Sequence, residues 1–209
     1  MKKIQQLIFS YPGLDVCVSE IEAAFHVLRD CYRRGGKVLT CGNGGSASDA
    51  EHIVGELMKG YLLKRPVPQE MRDRLIATTS EDGESLASHL QGGLPAISLV
   101  SQTSLLSAIA NDTAADMVYA QQVYVYGREG DALIGISTSG NSMNVIRAMQ
   151  VGRALGIRTI GLTGRTGGML KAWCDVCICV PADDTTQIQE RHLPIFHVLC
   201  AMLEEDFFA

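Results

Sequence analysis

Apolar and polar positions follow two patterns along the chain, short apolar runs and longer stretches with helical spacing. Five short runs of mainly apolar and β-branched residues predict buried strands, at about 37–41, 95–100, 132–136, 158–162 and 175–180. Elsewhere apolar residues recur every three or four positions, which is typical of amphipathic helices. The clearest helical stretches cover about 15–34, 47–60, 142–155 and 186–207.

Strands that alternate with helices indicate right-handed β-α-β crossovers. We therefore predict an α/β fold, a doubly wound five-stranded parallel sheet flanked by helices. We expect one domain over 1–209, with an N-terminal helix over 1–36 and a C-terminal helix over about 186–207. Ligands of such sheets bind beyond the carboxyl ends of the strands.

One segment interrupts this alternation and predicts an insert at about 64–94. Pro66 and Pro68 break the pattern, 70–74 are mostly charged, and 80–85 predict a turn. Long inserts in compact domains are often lids or subunit contacts. A surface elaboration without a catalytic role is the alternative.

Composition and charge narrow the class of protein. The 209 residues are 46% hydrophobic, enough for one sizeable core. The net charge of -5 and the lack of a basic cluster argue against nucleic acid as a partner. No apolar run reaches the roughly 18 residues of a membrane span, and the N-terminal apolar stretch is too short for a signal peptide. Seven cysteines without framework spacing indicate reduced thiols. We expect a cytoplasmic protein without nucleic-acid or membrane partners.

A run of hydroxyl residues follows the predicted strand at 132–136. Ser137, Thr138 and Ser139 precede Gly140, and a helix begins near Ser142. The first N–H groups of a helix lack partners and attract anions, and neutral hydroxyls donate further hydrogen bonds. The pattern favours a phosphate monoester site. An ordinary loop with Ser142 as the helix N-cap is the alternative.

A second polar loop follows the first strand. It reads Gly42-Asn43-Gly44-Gly45-Ser46 and leads into the helix at 47–60. Glycines allow a ligand to approach the backbone closely. Their spacing matches neither the dinucleotide fingerprint nor the P-loop, so we expect no nucleotide cofactor.

Two helices carry candidate chemical groups. His52 and Glu56 lie four residues apart, so both side chains project from one helix face. Such a pair supplies two metal ligands or a base with its orienting partner, and an exposed polar face is the alternative. On the last helix, Gln189 and His197 share a stripe. A site role for His197 competes with that of a hydrogen-bonded core histidine.

Cys174, Cys177 and Cys179 form a close trio near the last strand. A metal site is one interpretation. Because residues 177 and 179 alternate with apolar positions on a strand expected to be buried on both faces, we predict core cysteines instead.

Several motifs, taken in chain order, resemble the SIS (sugar isomerase) domain, and most closely its phosphoheptose isomerase branch. They are Cys41-Gly42-Asn43-Gly44-Gly45-Ser46, Asp49-Ala50-Glu51-His52, Glu56-Leu57, Ile109-Ala110-Asn111-Asp112, Gly127-Arg128-Glu129-Gly130-Asp131, the run 135–146 and Leu162-Thr163-Gly164. The resemblance covers nearly the whole chain apart from the insert, and it implies a flavodoxin-like fold.

The resemblance also implies a reaction, the isomerisation of sedoheptulose 7-phosphate to D-glycero-D-manno-heptose 7-phosphate. It implies two sets of substrate-binding residues. The phosphate would be held by Ser137, Thr138, Ser139 and Ser142; the sugar would be contacted by Asn43, Gly44, Gly45, Ser46, Asn111, Asp112 and Gln189. Family members are tetramers whose sites are completed by neighbouring subunits, so a homotetramer is expected.

The catalytic residues implied by the resemblance are Glu56 and His197. Aldose–ketose isomerisation moves a proton between adjacent carbons through an enediol(ate), so it needs a carbon base and an acid for the oxygens. We predict Glu56 as the base and His197 as the acid/base. Some family members bind zinc through positions that correspond here to His52, Glu56, Gln189 and His197, and one zinc ion per subunit would polarise the carbonyl.

These two schemes conflict in part, because a metal-bound Glu56 is a poorer base. Two further alternatives remain open. One is a SIS-type binding or regulatory module without turnover, of the kind that associates with the bacterial replication initiator. The other is an isomerase for a different phosphosugar, suggested by the insert and by Thr186 at a position that is often acidic in relatives.

Overall fold

The computed structural model describes residues 2–79 and 81–209. Within these ranges, five strands form one sheet in the order β2-β1-β3-β4-β5, and every neighbouring pair is parallel. The strands are β1 (Val38–Gly42), β2 (Ala96–Ser98), β3 (Ala132–Ser137), β4 (Arg158–Thr163) and β5 (Val176–Cys179). Each predicted run forms a strand, which confirms the doubly wound α/β prediction.

Helices cover both faces of the sheet. They are α1 (Lys2–Ser10), α2 (Val18–Arg33), α3 (Gly45–Met58), α4 (Gln69–Thr79), α5 (Gly83–His89), α6 (Thr103–Asp112), α7 (Ala120–Tyr126), α8 (Met143–Ala154) and α9 (Thr185–Phe208). Buried residues of α1, α2, α3 and α9 form one apolar cluster with the sheet. Residues of α6, α7 and α8 form the other. The two layers bury the sheet on both faces, as expected of a parallel sheet.

The N-terminal region differs from the single helix predicted over 1–36. Met1 lies outside the described residues, and the rest divides into α1, a short 3-10 helix at Pro12–Cys17, and α2. Pro12 explains the break, because proline has no N–H to donate to the residue four positions earlier. The chain leaves α2 through Gly35, whose φ of 75° favours glycine.

The insert forms a helical hairpin in which α4 packs against α5. A bridge between Pro66 and Gln91 closes its base, and the Gly60 N–H donates to Gln91 Oε1 over 2.6 Å. The turn predicted over 80–85 was only partly right. Ser80 lies outside the described residues, and the chain is already helical from Gly83, which packs directly against the backbone of α4.

A buried ion pair fastens the insert to the body. Arg65 Nε lies 2.8 Å from Glu204 Oε1, and their side chains are 0% and 1% exposed. Glu204 also accepts three backbone N–H groups, from Tyr61, Leu62 and Leu63. Burial alone would raise the pKa of Glu204, but these donors and the Arg65 guanidinium lower it. Arg65 donates in turn to the carbonyls of Glu56 and Leu57, so the pair links α9, the insert base and the end of α3.

β5 lies at one edge of the sheet, and this changes the interpretation of the cysteine trio. Cys174, Cys177 and Cys179 are half-buried rather than core residues, which corrects the prediction of a strand buried on both faces. An outermost strand has a neighbour on one side only, so its residues keep access to solvent. All seven cysteines are free thiols.

None of the helices in the described ranges is both long enough and apolar enough to span a bilayer.

Candidate active site

Two loops meet where the strand order of the sheet reverses, between β1 and β3. Crevices at such positions bind ligands in doubly wound folds. Here the Asn43 and Asn144 amides exchange two hydrogen bonds of 2.9 Å and join the loop after β1 to the start of α8. The Tyr119 hydroxyl donates to the Gly42 carbonyl over 2.6 Å and so fixes the start of the loop after β1.

The hydroxyl loop after β3 has the geometry of an anion site. Ser142 is the N-cap residue of α8, yet its hydroxyl makes no bond to its own helix. It pairs instead with the Ser137 hydroxyl at 3.0 Å. Thr138 is half-buried and Ser139 is exposed. The loop therefore presents hydroxyl groups together with the positive end of a helix dipole, where an anion is stabilised.

The glycine loop after β1 leads directly into α3. Gly44 adopts a φ of 56°, which favours glycine, and α3 begins at Gly45. The Gln189 amide of α9 packs so closely that a Cβ at Gly45 would lie 2.4 Å from its Nε2 atom. Ser46 is buried in the first turn. Gln189 therefore contacts the glycine loop, as a sugar-binding role would require.

Three predicted residues converge between α3 and α9. His52 Nε2 lies 3.1 Å from Glu56 Oε1 and 3.3 Å from His197 Nε2. One ligand atom from each residue lies within 4.8 Å of the other two. The second carboxylate oxygen, Glu56 Oε2, is buried and has no hydrogen-bond partner among the described residues. Two imidazoles and a carboxylate at this spacing are suited to acid–base chemistry or to a Zn²⁺ ion.

Aromatic residues pack around this cluster. The Phe196 ring meets His52 edge-on, with centroids 5.2 Å apart. Tyr61, from the insert base, stacks on His197 with centroids 5.6 Å apart. Burial lowers the pKa of His197, and neighbouring His52 lowers it further, against an opposing effect of Glu56. The lowered pKa favours a neutral His197 imidazole near pH 7, and this ring lines a cavity of about 300 Å³.

The structure does not bring every predicted site residue together. His52 lies seven positions after Gly45 on α3, so the glycine loop and the acid–base cluster are about 10 Å apart along the helix axis. Asn111 and Asp112 are exposed at the end of α6 and bond to each other. Across the described ranges, no hydrogen bond joins either of them to the two loops.

Sequence reasoning did not assign roles to three residues that shape the site. Asn144 and Tyr119 hold the loops together, and Asp49 lies one turn before His52. Burial raises the pKa of Asp49 to about 6, although His52 opposes the shift. Asp49 and Asn144 lie within the quoted motifs, but only three-dimensional proximity shows what they contact.

Comparisons with known proteins agree with this geometry. The sequence profile of the SIS domain matches residues 17–85 and 81–164. The phosphoheptose isomerase of Aneurinibacillus thermoaerophilus is 41% identical over 179 residues, 86% of this chain and 77% of that protein. The phosphoheptose isomerase of Akkermansia muciniphila is 35% identical over 199 residues, 95% of this chain and 92% of that protein.

Solved structures of such proteins have the same fold. The phosphoheptose isomerase from Neisseria gonorrhoeae superposes with a TM-score of 0.73 at 34% identity, over 96% of this chain and 94% of that one. The Francisella tularensis phosphoheptose isomerase gives a TM-score of 0.77 at 29% identity, over 98% and 97%. The chain therefore belongs to the SIS domain family, in its phosphoheptose isomerase branch.

Proposed function

We propose that the chain is an aldose–ketose isomerase that converts sedoheptulose 7-phosphate to D-glycero-D-manno-heptose 7-phosphate through an enediol(ate). The observation that carries the proposal is the convergence of Glu56 and His197, from two different helices, in one cluster. Relatives named phosphoheptose isomerase at 35–42% identity support the substrate class.

Glu56 is the proposed carbon base. Its Oε2 atom is buried and unpartnered, so it is available to accept a proton, while Oε1 is held by His52. His197 is the proposed acid/base for the substrate oxygens. Its lowered pKa keeps the imidazole neutral near pH 7, the form that accepts a proton from a hydroxyl and returns it to the neighbouring oxygen.

The loops that follow the carboxyl ends of β1 and β3 are the proposed binding surface. Ser137, Thr138, Ser139 and Ser142 hold the phosphate at the start of α8, supported by the Ser137–Ser142 hydroxyl pair. The sugar lies against the glycine loop, with contacts proposed from Asn43, Gly44, Gly45, Ser46, Asn111, Asp112 and Gln189.

The cluster also fits a zinc ion. His52, Glu56 and His197 would hold it, because their ligand atoms already lie within 4.8 Å of one another and Glu56 Oε2 lacks a partner. Gln189 is the proposed fourth ligand, and its amide would have to turn away from Gly45 to reach the ion. Bound zinc would polarise the substrate carbonyl. In that scheme Glu56 is less free to act as a base, so metal analysis and the effect of a chelator on turnover discriminate between the two roles.

We propose a homotetramer in the cytoplasm, with active sites shared between subunits. The exposed side chain of His52 supports this, because it leaves one side of the acid–base cluster open to residues of another subunit. Exposed apolar residues of the insert, including Met71, Ile76 and Leu86, supply contact surface.

A second candidate is an isomerase for a different phosphosugar. It is favoured by one contact, the stacking of Tyr61 from the insert base on His197. A panel of pentose, hexose and heptose phosphates separates the candidates, because the proposed activity requires the heptose to give the highest kcat/KM. A regulatory module would bind a phosphosugar and convert none of them.

The reaction path is tested by running the isomerisation in D₂O. Proton transfer through an enediol(ate) removes hydrogen from C1 of the ketose and adds a solvent-derived hydrogen at C2 of the aldose. We expect deuterium at C2 of the product. Glu56 can return part of the abstracted hydrogen before it exchanges, so the contradicting result is a complete absence of carbon-bound deuterium from both sugars after many turnovers.

A further inference from the structure

Three half-buried cysteines line a cleft at the β5 edge of the sheet, away from the proposed active site. Cys174, Cys177 and Cys179 face a cavity of about 700 Å³ between β5, α2 and the 3-10 helix at Gly168–Trp173. The other four thiols, Cys17, Cys31, Cys41 and Cys200, are buried. The three cleft thiols are therefore the accessible ones.

Cys177 is the central sulfur of the cluster. Cys179 Sγ donates to Cys177 Sγ over 3.7 Å, and the Thr163 hydroxyl lies 3.7 Å from the same atom. On the other side, a Cβ at Gly161 would fall 2.6 Å from Cys174 Sγ and 3.2 Å from Cys177 Sγ. The two sulfurs thus share space that only a glycine on β4 leaves open.

The surroundings favour a thiolate at this central position. The nearby Cys174 thiol lowers the pKa of Cys177, against the opposing effect of burial, although the Cys174 S–H itself donates to the Leu170 carbonyl over 3.3 Å. Thr163, Cys179 and the ammonium of Lys171 lower it further.

The pKa values of four other thiols are raised. The neighbouring Cys177 and burial raise the pKa of Cys174, and burial raises that of Cys179. Burial also raises the pKa of Cys41 and of Cys200 to about 12. Since the thiolate is the reactive form, Cys177 is chemically distinct from the other six.

We propose that this cluster is an oxidation site, in which Cys177 reacts with peroxides and Cys174 then closes a disulfide with it. The Cys177 thiolate attacks one peroxide oxygen, the O–O bond breaks, and the sulfur becomes a sulfenic acid while the peroxide is reduced to water or an alcohol. Cys174 sulfur next attacks Cys177 sulfur. The S–O bond breaks, the proton of the Cys174 thiol leaves with the hydroxyl as water, and one disulfide forms.

Strand geometry selects Cys174 over Cys179 as the second thiol. Cys177 and Cys179 are two residues apart on β5, so their Cα atoms are about 6.6 Å apart and their Cβ atoms project in parallel. That is near the outer limit for a disulfide, which also needs Cβ atoms about 4 Å apart. Cys174 precedes the strand, just after the 3-10 helix, and its sulfur lies beside that of Cys177 over Gly161.

Peroxide titration followed by peptide mapping tests the proposal. Cleavage on the N-terminal side of Asp175 separates Cys174 from Cys177 and Cys179, so the proposed disulfide joins two peptides. We expect the wild type to lose two free thiols with hydrogen peroxide, to contain that link, and to recover both thiols with dithiothreitol. Cys177→Ser should lose none of the cleft thiols. In Cys174→Ser, dimedone should label Cys177 as the sulfenic acid.

Cys179→Ser is the matched control and should still form the link. Alkylation of unmodified wild-type protein gives a measurement that needs no variant, and the rate at Cys177 should reach half its maximum at a lower pH than the rates at Cys174 and Cys179. The proposal is overturned if the cleft thiols react no faster than Cys41 and Cys200, if the disulfide lies within the Cys177–Cys179 peptide, or if the link is lost in Cys179→Ser.

Discussion

Ser142 tests the phosphate loop at the level of one hydroxyl. Its Oγ atom pairs with Ser137 instead of capping α8, so it is available to a ligand. Hydrogen bonds to charged groups contribute about 1.5–3 kcal/mol. We therefore expect Ser142→Ala to raise the KM for the phosphosugar by about tenfold or more, with a smaller effect on kcat, in steady-state kinetics.

Ser104→Ala, an exposed serine on α6, is the control for that substitution and should leave KM unchanged. A KM within twofold of the wild type in Ser142→Ala would mean that the phosphate lies elsewhere.

His192 should make the folding stability depend on pH. Its ring is fully buried and its Nε2 atom bonds the Thr163 carbonyl at 3.3 Å. Burial lowers the pKa of His192 to about 4, against the opposing effect of that hydrogen bond. Between pH 6.5 and 4 the unfolded chain binds the proton and the folded chain does not. Stability should thus fall as pH falls, by about 1.4 kcal/mol per pH unit from this group.

Denaturant unfolding of His192→Gln at several pH values checks this expectation, because glutamine keeps a donor but does not titrate. The slope of stability against pH should be shallower in His192→Gln than in the wild type. His89→Gln, on the exposed insert, should keep the wild-type slope. Equal slopes in all three proteins would contradict the lowered pKa, because they would mean that His192 binds its proton as readily in the folded chain as in the unfolded chain.

The sequence predicts the roles of some residues better than those of others. His52 and Glu56 could be paired from their helical spacing, and the hydroxyl loop from its place after a strand. The Tyr61–His197 stack could not be foreseen, because it joins segments more than 130 positions apart. The exposure of Cys177 depends on which strand forms the edge of the sheet, and that follows from strand order rather than from local composition.

At the scale of elements, the Arg65–Glu204 pair should decide whether the insert stays attached. Glu204→Gln keeps the size of the side chain but leaves the Arg65 guanidinium buried without its counter-charge. Breaking a buried pair in this way costs about 3–5 kcal/mol. We expect that loss in the free energy of unfolding, together with faster hydrogen exchange at the amides of Tyr61, Leu62 and Leu63.

Glu205→Gln, the exposed neighbour on the same helix, should change stability by less than about 0.5 kcal/mol. A loss of similar small size in Glu204→Gln would contradict the assigned role of the pair.

The apolar pattern predicts the strands, and it predicts the ends of those helices that pack on the sheet, because this packing requires apolar residues at regular positions. The pattern predicts all five strands and also α3, α8 and α9 to within a few residues. It failed in the N-terminal region because helical spacing continues across Pro12, while the backbone cannot. The helices of the insert were only loosely placed, since α4 buries no residue and so has little periodic constraint.

At the scale of the whole molecule, shared active sites can be tested by mixing two impaired variants. Glu56→Gln lacks the proposed base, and the double variant Ser137→Ala with Ser142→Ala lacks the phosphate hydroxyls. If each site takes its base from one chain and its phosphate loop from another, random mixed assemblies contain about a quarter of intact sites. Unfolding and refolding the two variants together should therefore restore about a quarter of the wild-type activity.

Refolding each variant alone provides the control for this experiment. Activity in the mixture that is no greater than the mean of the two separate samples would place each complete site within one chain.

The central claim is that this chain turns over sedoheptulose 7-phosphate by means of Glu56 and His197. Its most direct test is the rate of aldose formation by the purified protein, with and without added zinc, beside Glu56→Gln and His197→Ala. We predict turnover by the wild type and a loss of at least about 10²-fold in kcat in both variants, since each removes a proton-transfer group. A folded wild type that binds the substrate without converting it, or variants that retain full activity, would contradict the account.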